Sequence, residues 1–284
     1  MSLLIERPLL DEHLKAFFND YDEEAFILHT DIGGWGLIKG ITSRASLLDG
    51  YLEVLLKASA GRPLLFPTFN YDYGRSRRFD VLRDKCQVGA LNEYARQQKP
   101  AGRTQTPIFN FIELPKDNFS ASPDVNPFGE SSLWSTFCNY SGRICFMGAG
   151  LEANTFIHYI EEIQNVGYRY IKPMSGQIVL GEIKKAIDFK FRVRPAASGA
   201  VDYDWQRIKE DLLRQSLLEE KPLGLGKVLS YSATKVKEYW VSRISDDEFY
   251  FLTGESKAKI AELRRTKSYP FRLEDFEPEA LNPS

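Results

Sequence analysis

Apolar positions along this chain fall into short unbroken runs separated by longer amphipathic stretches, which predicts strands alternating with helices. The opening, MSLLIERPLLDEHLKAFF, has the spacing of an amphipathic helix, expected over about 8–20. AFILHTD (25–31) then reads as a buried strand whose end carries His29, Thr30 and Asp31. Gly33, Gly34 and Gly36 loosen the following loop around Trp35. Thr42 or Ser43 is a suitable cap for a helix over about 44–58, striped by Leu47, Leu48, Tyr51, Leu55 and Leu56. A second apolar strand, LLF, opens after Arg62-Pro63 and stops at Pro67-Thr68-Phe69. Residues 70–87 are polar, aromatic and charged, and predict a long functional loop. A helix over about 88–98 and the strand PIFNFIEL (107–114) follow. FGESSLWSTF (128–137) then predicts a short helix capped by Ser131 or Ser132.

The stretch RICFMGAGLEANTFIHYIEE (143–162) concentrates the candidate chemistry. Ile144 to Met147 suits a buried strand, Gly148-Ala149-Gly150 a tight turn, and Asn154 or Thr155 the N-cap of a helix. On that helix His158 has Glu161 at i+3 and Glu162 at i+4, both on its own face. A histidine held by a carboxylate is a general-base arrangement, although an HxxE spacing by itself also describes a surface ion pair. Further on, 176–194 predicts a hairpin, 203–220 a helix, 227–231 a strand, and Ser232 the cap of another helix. The polar, proline-bearing tail from about Arg265 is expected to be less ordered. With no internal repeat and no clean linker, the pattern predicts an α/β fold: a single domain with a mixed central sheet flanked by helices.

Composition narrows the function classes. A formal net charge of −2 offers no basic surplus for nucleic acid. No apolar run approaches a membrane span, and the N-terminus has no signal-peptide pattern, so the expected location is the cytoplasm. Cys86, Cys138 and Cys145 lack zinc or disulfide spacing, and no metal is expected. Cys145, inside an apolar strand, reads as a small buried hydrophobe rather than an acyl-carrying nucleophile. His13 reads as a surface residue of the first helix.

Taken together and in order, five segments resemble the aminoglycoside 3-N-acetyltransferase family, the antibiotic N-acetyltransferases. They are AFILHTDI, LLFPTFNYD, VGALNEYARQQKPAGRTQTPIFNF, PFGESSLWSTF and GRICFMGAGLEANTFIHYIEE, the last similar to the family's Asn-Thr-x-x-His-x-x-Glu signature. The resemblance covers roughly residues 10–255. It implies a fold distinct from the GNAT acetyltransferases, with ligand loops near 29–36, 67–75 and 148–155. It also implies transfer of an acetyl or related acyl group from acetyl-CoA or another acyl-CoA to the amine of an amino sugar.

Carried over residue by residue, the resemblance makes His158 the catalytic base and Glu161 its partner. It sets His29, Thr30, Asp31, Ile32, Pro67, Thr68, Phe69, Ser131 and Ser132 beside the coenzyme, and Tyr71, Asp72, Tyr73, Thr106 and Asn154 beside the acceptor. Trp35, Tyr71, Tyr73 and Trp134 are then candidates for stacking on a ligand ring. Backbone N–H groups near Thr30-Asp31 or Thr68-Phe69 are expected to face the oxyanion. Two departures stand out: Thr106 where the family commonly has His, and Leu133 where it has Pro. With Arg75, Arg77 and Arg78 in the long loop and Lys172, Lys184, Lys185, Lys190, Arg192 and Arg194 further on, Thr106 shifts the expected acceptor. A nucleotide-linked amino sugar is placed ahead of an aminoglycoside. A non-catalytic coenzyme A or sugar binding protein is the competing class, and a homodimer is left open.

Overall fold

The computed structural model describes residues 4–115, 118–119, 125–196 and 201–278. Its centre is a six-stranded mixed sheet. We number its strands β1 (Ala25–Thr30), β2 (Leu64–Pro67), β3 (Phe111–Leu114), β4 (Gly142–Met147), β5 (Glu219–Leu223) and β6 (Gly226–Ser232). Their spatial order is β5-β6-β4-β1-β2-β3. β1 runs parallel to both β2 and β4, while β3 and the β5–β6 hairpin close the two edges antiparallel. β1, β2 and β4 are buried at every position, which is why they read as unbroken apolar runs.

Alternate residues of each strand feed the two faces. Ile27, Leu65, Ile144 and Phe146 belong to one apolar cluster, covered by the helices Phe156–Ile163 and Ala233–Asp246. Phe26, Leu28, Phe66, Cys145 and Met147 belong to the other, under the helices Arg7–Asn19 and Arg44–Ala58. The second of these matches the predicted stripe closely, and Ser43 caps it by accepting from Ser46 N–H at 3.0 Å. No helix among the described residues is long and apolar enough to cross a membrane.

Several boundaries differ from expectation. The 70–87 segment is not all loop: it holds a helical turn, Tyr73–Ser76, and a short strand, Arg78–Asp80, that joins the ladder of Gly176–Leu180. The 176–194 segment divides between two ladders, since Lys190–Val193 pairs with Tyr170–Pro173 instead of its sequence neighbour. β5 lies where a helix end was expected, and its polar, proline-bearing sequence suits an edge strand. The helix of that region is shorter, Trp205–Arg214, and Gly254–Leu263 forms a helix the pattern did not announce. Residues 265–278 are docked: Phe271 is buried and Phe276 stacks on Tyr170 at 5.2 Å. The remainder of the tail lies outside the described residues.

Because β1, β2 and β4 are parallel, their C-terminal ends open on one edge of the sheet, where α/β sheets bind ligands. His29 and Thr30 pair there with Phe146 and Met147. Gly148 makes the turn out of β4 with φ of 75°, and a Cβ on it would lie 2.2 Å from the Asp31 carbonyl oxygen. Only glycine lets the two strand-end loops approach so closely.

Candidate active site

The helix Phe156–Ile163 starts immediately beyond this edge and carries the two residues of the signature. His158 Nδ1 lies 3.0 Å from Glu161 Oε2. Glu162 turns away, accepting from Asn126 Nδ2 at 3.0 Å and pairing with Arg192 at 3.5 Å, so the choice left open by the spacing falls on Glu161. Glu161 is fully buried, and three further groups converge on it. The Tyr168 hydroxyl donates to Oε1 at 2.8 Å, the Tyr203 hydroxyl lies 2.8 Å from both oxygens, and Arg169 Nε is ion-paired to Oε2 at 2.8 Å. Arg169 also donates to the Tyr203 oxygen. Edge-on contact with Phe128, ring centroids 5.5 Å apart, holds the His158 ring from the side.

Burial by itself would raise the Glu161 carboxyl, but the adjacent Arg169 charge and the His158 and Tyr168 bonds outweigh it and bring it down to about 2. An ionised carboxylate only accepts, so Nδ1 of His158 carries its proton and Nε2 keeps a free lone pair. Burial lowers the His158 pKa, and the Glu161 bond offsets that only in part. Burial outweighs the upward pull of the carboxylate, so the ring is neutral at pH 7 and available as a base, with 28% of its side chain still exposed. Accordingly kcat/KM should hold at neutrality and fall only below the ordinary 6.5 of a histidine, as measured by a pH–rate profile. An acid limb centred above 6.5 would contradict this electrostatic balance.

His158 opens on a cavity of about 390 Å³ at the strand-end edge. Of the residues expected there, His29, Thr30, Pro67, Phe69, Tyr71 and Asn154 line it. Thr30 donates to Asn92 Oδ1 at 2.8 Å, and His29 is stacked on Phe146, buried to the point that its pKa falls to about 3. The others stand elsewhere. Asp31 caps the turn Ile32–Gly34 by accepting from Gly33 N–H, and Ile32 packs into the opposite cluster. Thr68 is fully buried against Asn110 and Arg103, and Ser132 is the buried cap of the helix Leu133–Asn139, with exposed Ser131 beside it. Asp72 is exposed and paired with Arg75, and Thr106 is buried away from the cavity. Tyr73 is buried in a separate cluster, its hydroxyl donating to the Met174 carbonyl at 2.8 Å. Trp35 and Trp134 are likewise core residues.

Sequence reasoning missed Tyr203, Trp205 and Glu152, all of which line the cavity, and the Tyr168–Arg169 support behind it. A second cavity of about 390 Å³ adjoins the first, sharing Ala149, Glu152 and Trp205 and adding Lys209 and Lys227. A third, about 290 Å³, lies against His158, Tyr203, Arg169 and Arg194. Of the basic residues singled out in the sequence, Arg194 is the one lining a cavity beside His158. Arg75 and Arg78 pair with Asp72 and Asp80, and Lys172 with Glu277.

The acyl-CoA that the resemblance implies is a consumed substrate, and the His158 cavity has features suited to a ligand. His29 Nε2 and Asn154 Nδ2 are buried polar atoms without hydrogen-bond partners in residues that line it. Such atoms are costly unless a ligand completes them.

The family model for aminoglycoside 3-N-acetyltransferase matches residues 65–245, more than half of the chain. No curated protein matches the sequence. Among solved structures, AAC-IIIb in a binary complex with CoASH is similar at 16% identity, with 88% of this chain and 98% of that one covered and a TM-score of 0.72. AAC-VIa bound to sisomicin has 16% identity, coverage of 85% and 98%, and a TM-score of 0.69. Apo aminoglycoside acetyltransferase AAC(3)-IVa has 14% identity, coverage of 91% and 95%, and a TM-score of 0.67. At these identities the structures speak to the fold, and the family match speaks to the chemistry: the chain belongs to the aminoglycoside 3-N-acetyltransferase family and is an acyl-CoA-dependent N-acetyltransferase.

Proposed function

We propose that this protein acetylates an amine on a cationic, aminoglycoside-type amino sugar, with His158 as general base. The observation that carries this reading is Glu152. Histidines aside, it is the one charged side chain among the described residues lining the cavity that His158 shares with His29 and Asn154, and among those residues it has no ion pair. Gly150 leaves room for it, since a Cβ there would lie 2.1 Å from Glu152 Oε1. A carboxylate at the mouth of a cavity attracts polyamines and repels phosphates. The order of preference drawn from the sequence is therefore reversed, because most of the basic residues behind it are paired with carboxylates or stand away from this cavity.

The chemistry follows from His158. An ammonium cannot attack a thioester, so the neutral amine is the reacting form, and Nε2 accepts the proton it sheds. Glu161, held by Tyr168, Tyr203 and Arg169, keeps the ring oriented and stabilises the imidazolium that forms. The proton then returns to the leaving thiol.

Arg194, which faces the third cavity and has no ion-pair partner among the described residues, favours a second reading: an amino sugar bearing phosphate. Following thiol release with acetyl-CoA and a panel of amines separates the two. In the first reading, aminoglycosides turn over faster than nucleotide-linked amino sugars. Glu152→Gln then raises the KM for the amine about tenfold, with kcat within a factor of about two, as expected for lost uniform binding. Preference for the nucleotide-linked sugar, with its KM raised by Arg194→Met and untouched by Glu152→Gln, would establish the second reading instead.

A further inference from the structure

Acyl transfer needs a hydrogen-bond donor where the thioester oxygen gains charge, and the donors expected from the sequence are largely committed. Asp31 N–H is bonded to the Met147 carbonyl at 2.9 Å and Thr68 N–H to the Asn110 carbonyl at 2.8 Å. Asn154 presents the opposite situation. Its Oδ1 accepts from the Tyr231 hydroxyl at 2.9 Å and from Phe156 N–H at 3.1 Å. The second contact is to an obligate donor, which fixes the orientation of the carboxamide. The remaining amide nitrogen, Nδ2, has no partner, although Asn154 is only 3% exposed and lines the cavity of His158. Two bonds thus lock one end of the carboxamide and leave the other end as an unused donor beside the base.

Resting on the N-acetyltransfer reading above, we propose that Asn154 is a catalytic residue whose Nδ2–H donates to the acyl oxygen during transfer. The amine lone pair forms the C–N bond at the thioester carbon, and the C=O π pair moves onto oxygen, where Asn154 donates. His158 Nε2 takes the amine proton. Collapse restores the C=O bond and breaks the C–S bond, the sulfur leaving with that proton. A donor fixed before the reaction begins has no reorganisation to undergo as the charge develops. Tyr231, itself fully buried, is the residue that positions it.

The test is steady-state kinetics of Asn154→Asp on the full chain, alongside calorimetric acetyl-CoA binding and the thermal midpoint. Aspartate keeps the acceptor for Phe156 N–H and Tyr231 but has no N–H to donate. The expected result is a loss of about 10²–10³ in kcat, in the range for removal of one such donor. The amine KM and the acetyl-CoA Kd should stay within about threefold, because the interaction belongs to the transition state. Asn154→Ser, whose hydroxyl oxygen can still accept from Phe156 N–H, should show the same split and serves if the aspartate variant does not fold. Tyr231→Phe should lose less than either. A folded Asn154 variant with kcat within about threefold of wild type, or with its whole loss in KM and Kd, overturns the proposal. Wild-type turnover is a separate result: its absence with every amine would count against the N-acetyltransfer reading rather than against Asn154.

Discussion

His158→Ala is expected to lose about 10²–10⁴-fold in kcat, the usual contribution of a positioned acid–base group, while its affinity for acetyl-CoA stays close to wild type. The ring accepts a proton only as the C–N bond forms, so its removal falls on turnover and spares ground-state donor binding. Glu161→Gln should cost less than His158→Ala, because a neutral amide still orients Nδ1 although it stabilises the imidazolium poorly. Glu162→Gln is the control and should remain near wild type, since Glu162 faces Asn126 and Arg192. A loss under about tenfold for His158→Ala would remove it from the role of base.

Arg169→Ala is expected to reduce folding stability by about 3–5 kcal/mol, read from denaturant unfolding. Arg169 and Glu161 are both buried, and Glu161 is tied into the network at full burial, so deleting the cation leaves an uncompensated buried carboxylate. Arg169→Ala also deprives Tyr203 of the guanidinium that donates to its oxygen. The double variant Arg169→Ala/Glu161→Gln should recover part of the loss, because it removes the stranded charge. Equal destabilisation of single and double variants would show that Arg169 matters through packing alone.

The local part of the site was legible because it is local. His158 and Glu161 sit at i and i+3 on one short helix, and the apolar runs of β1, β2 and β4 end in residues that a parallel sheet brings to one edge. Order along the chain supplied the rest, through five segments similar to one family. What stayed hidden depends on long-range pairing. Tyr203 and Arg169 reach Glu161 from the segments on either side of the Tyr170–Pro173 and Lys190–Val193 ladder, and neither has any periodic mark. β5 escaped notice because an edge strand has little need of apolar alternation. Tyr73 and Thr68 were set beside ligands by the resemblance, yet each hydroxyl is used inside the protein. The charges of the long loop misled for the same reason: Arg75 and Arg78 have carboxylates two or three residues away.

The central claim, N-acetyl transfer with His158 as base, is tested most directly by measuring amide formation and thiol release together. Saturating acetyl-CoA and an aminoglycoside would be used, with wild-type protein and His158→Ala run in parallel. The account predicts that wild type forms amide and free thiol in equal amounts, and that His158→Ala loses both together while still binding acetyl-CoA. Thiol release without amide, or an His158→Ala variant that forms amide at the wild-type rate, would contradict it.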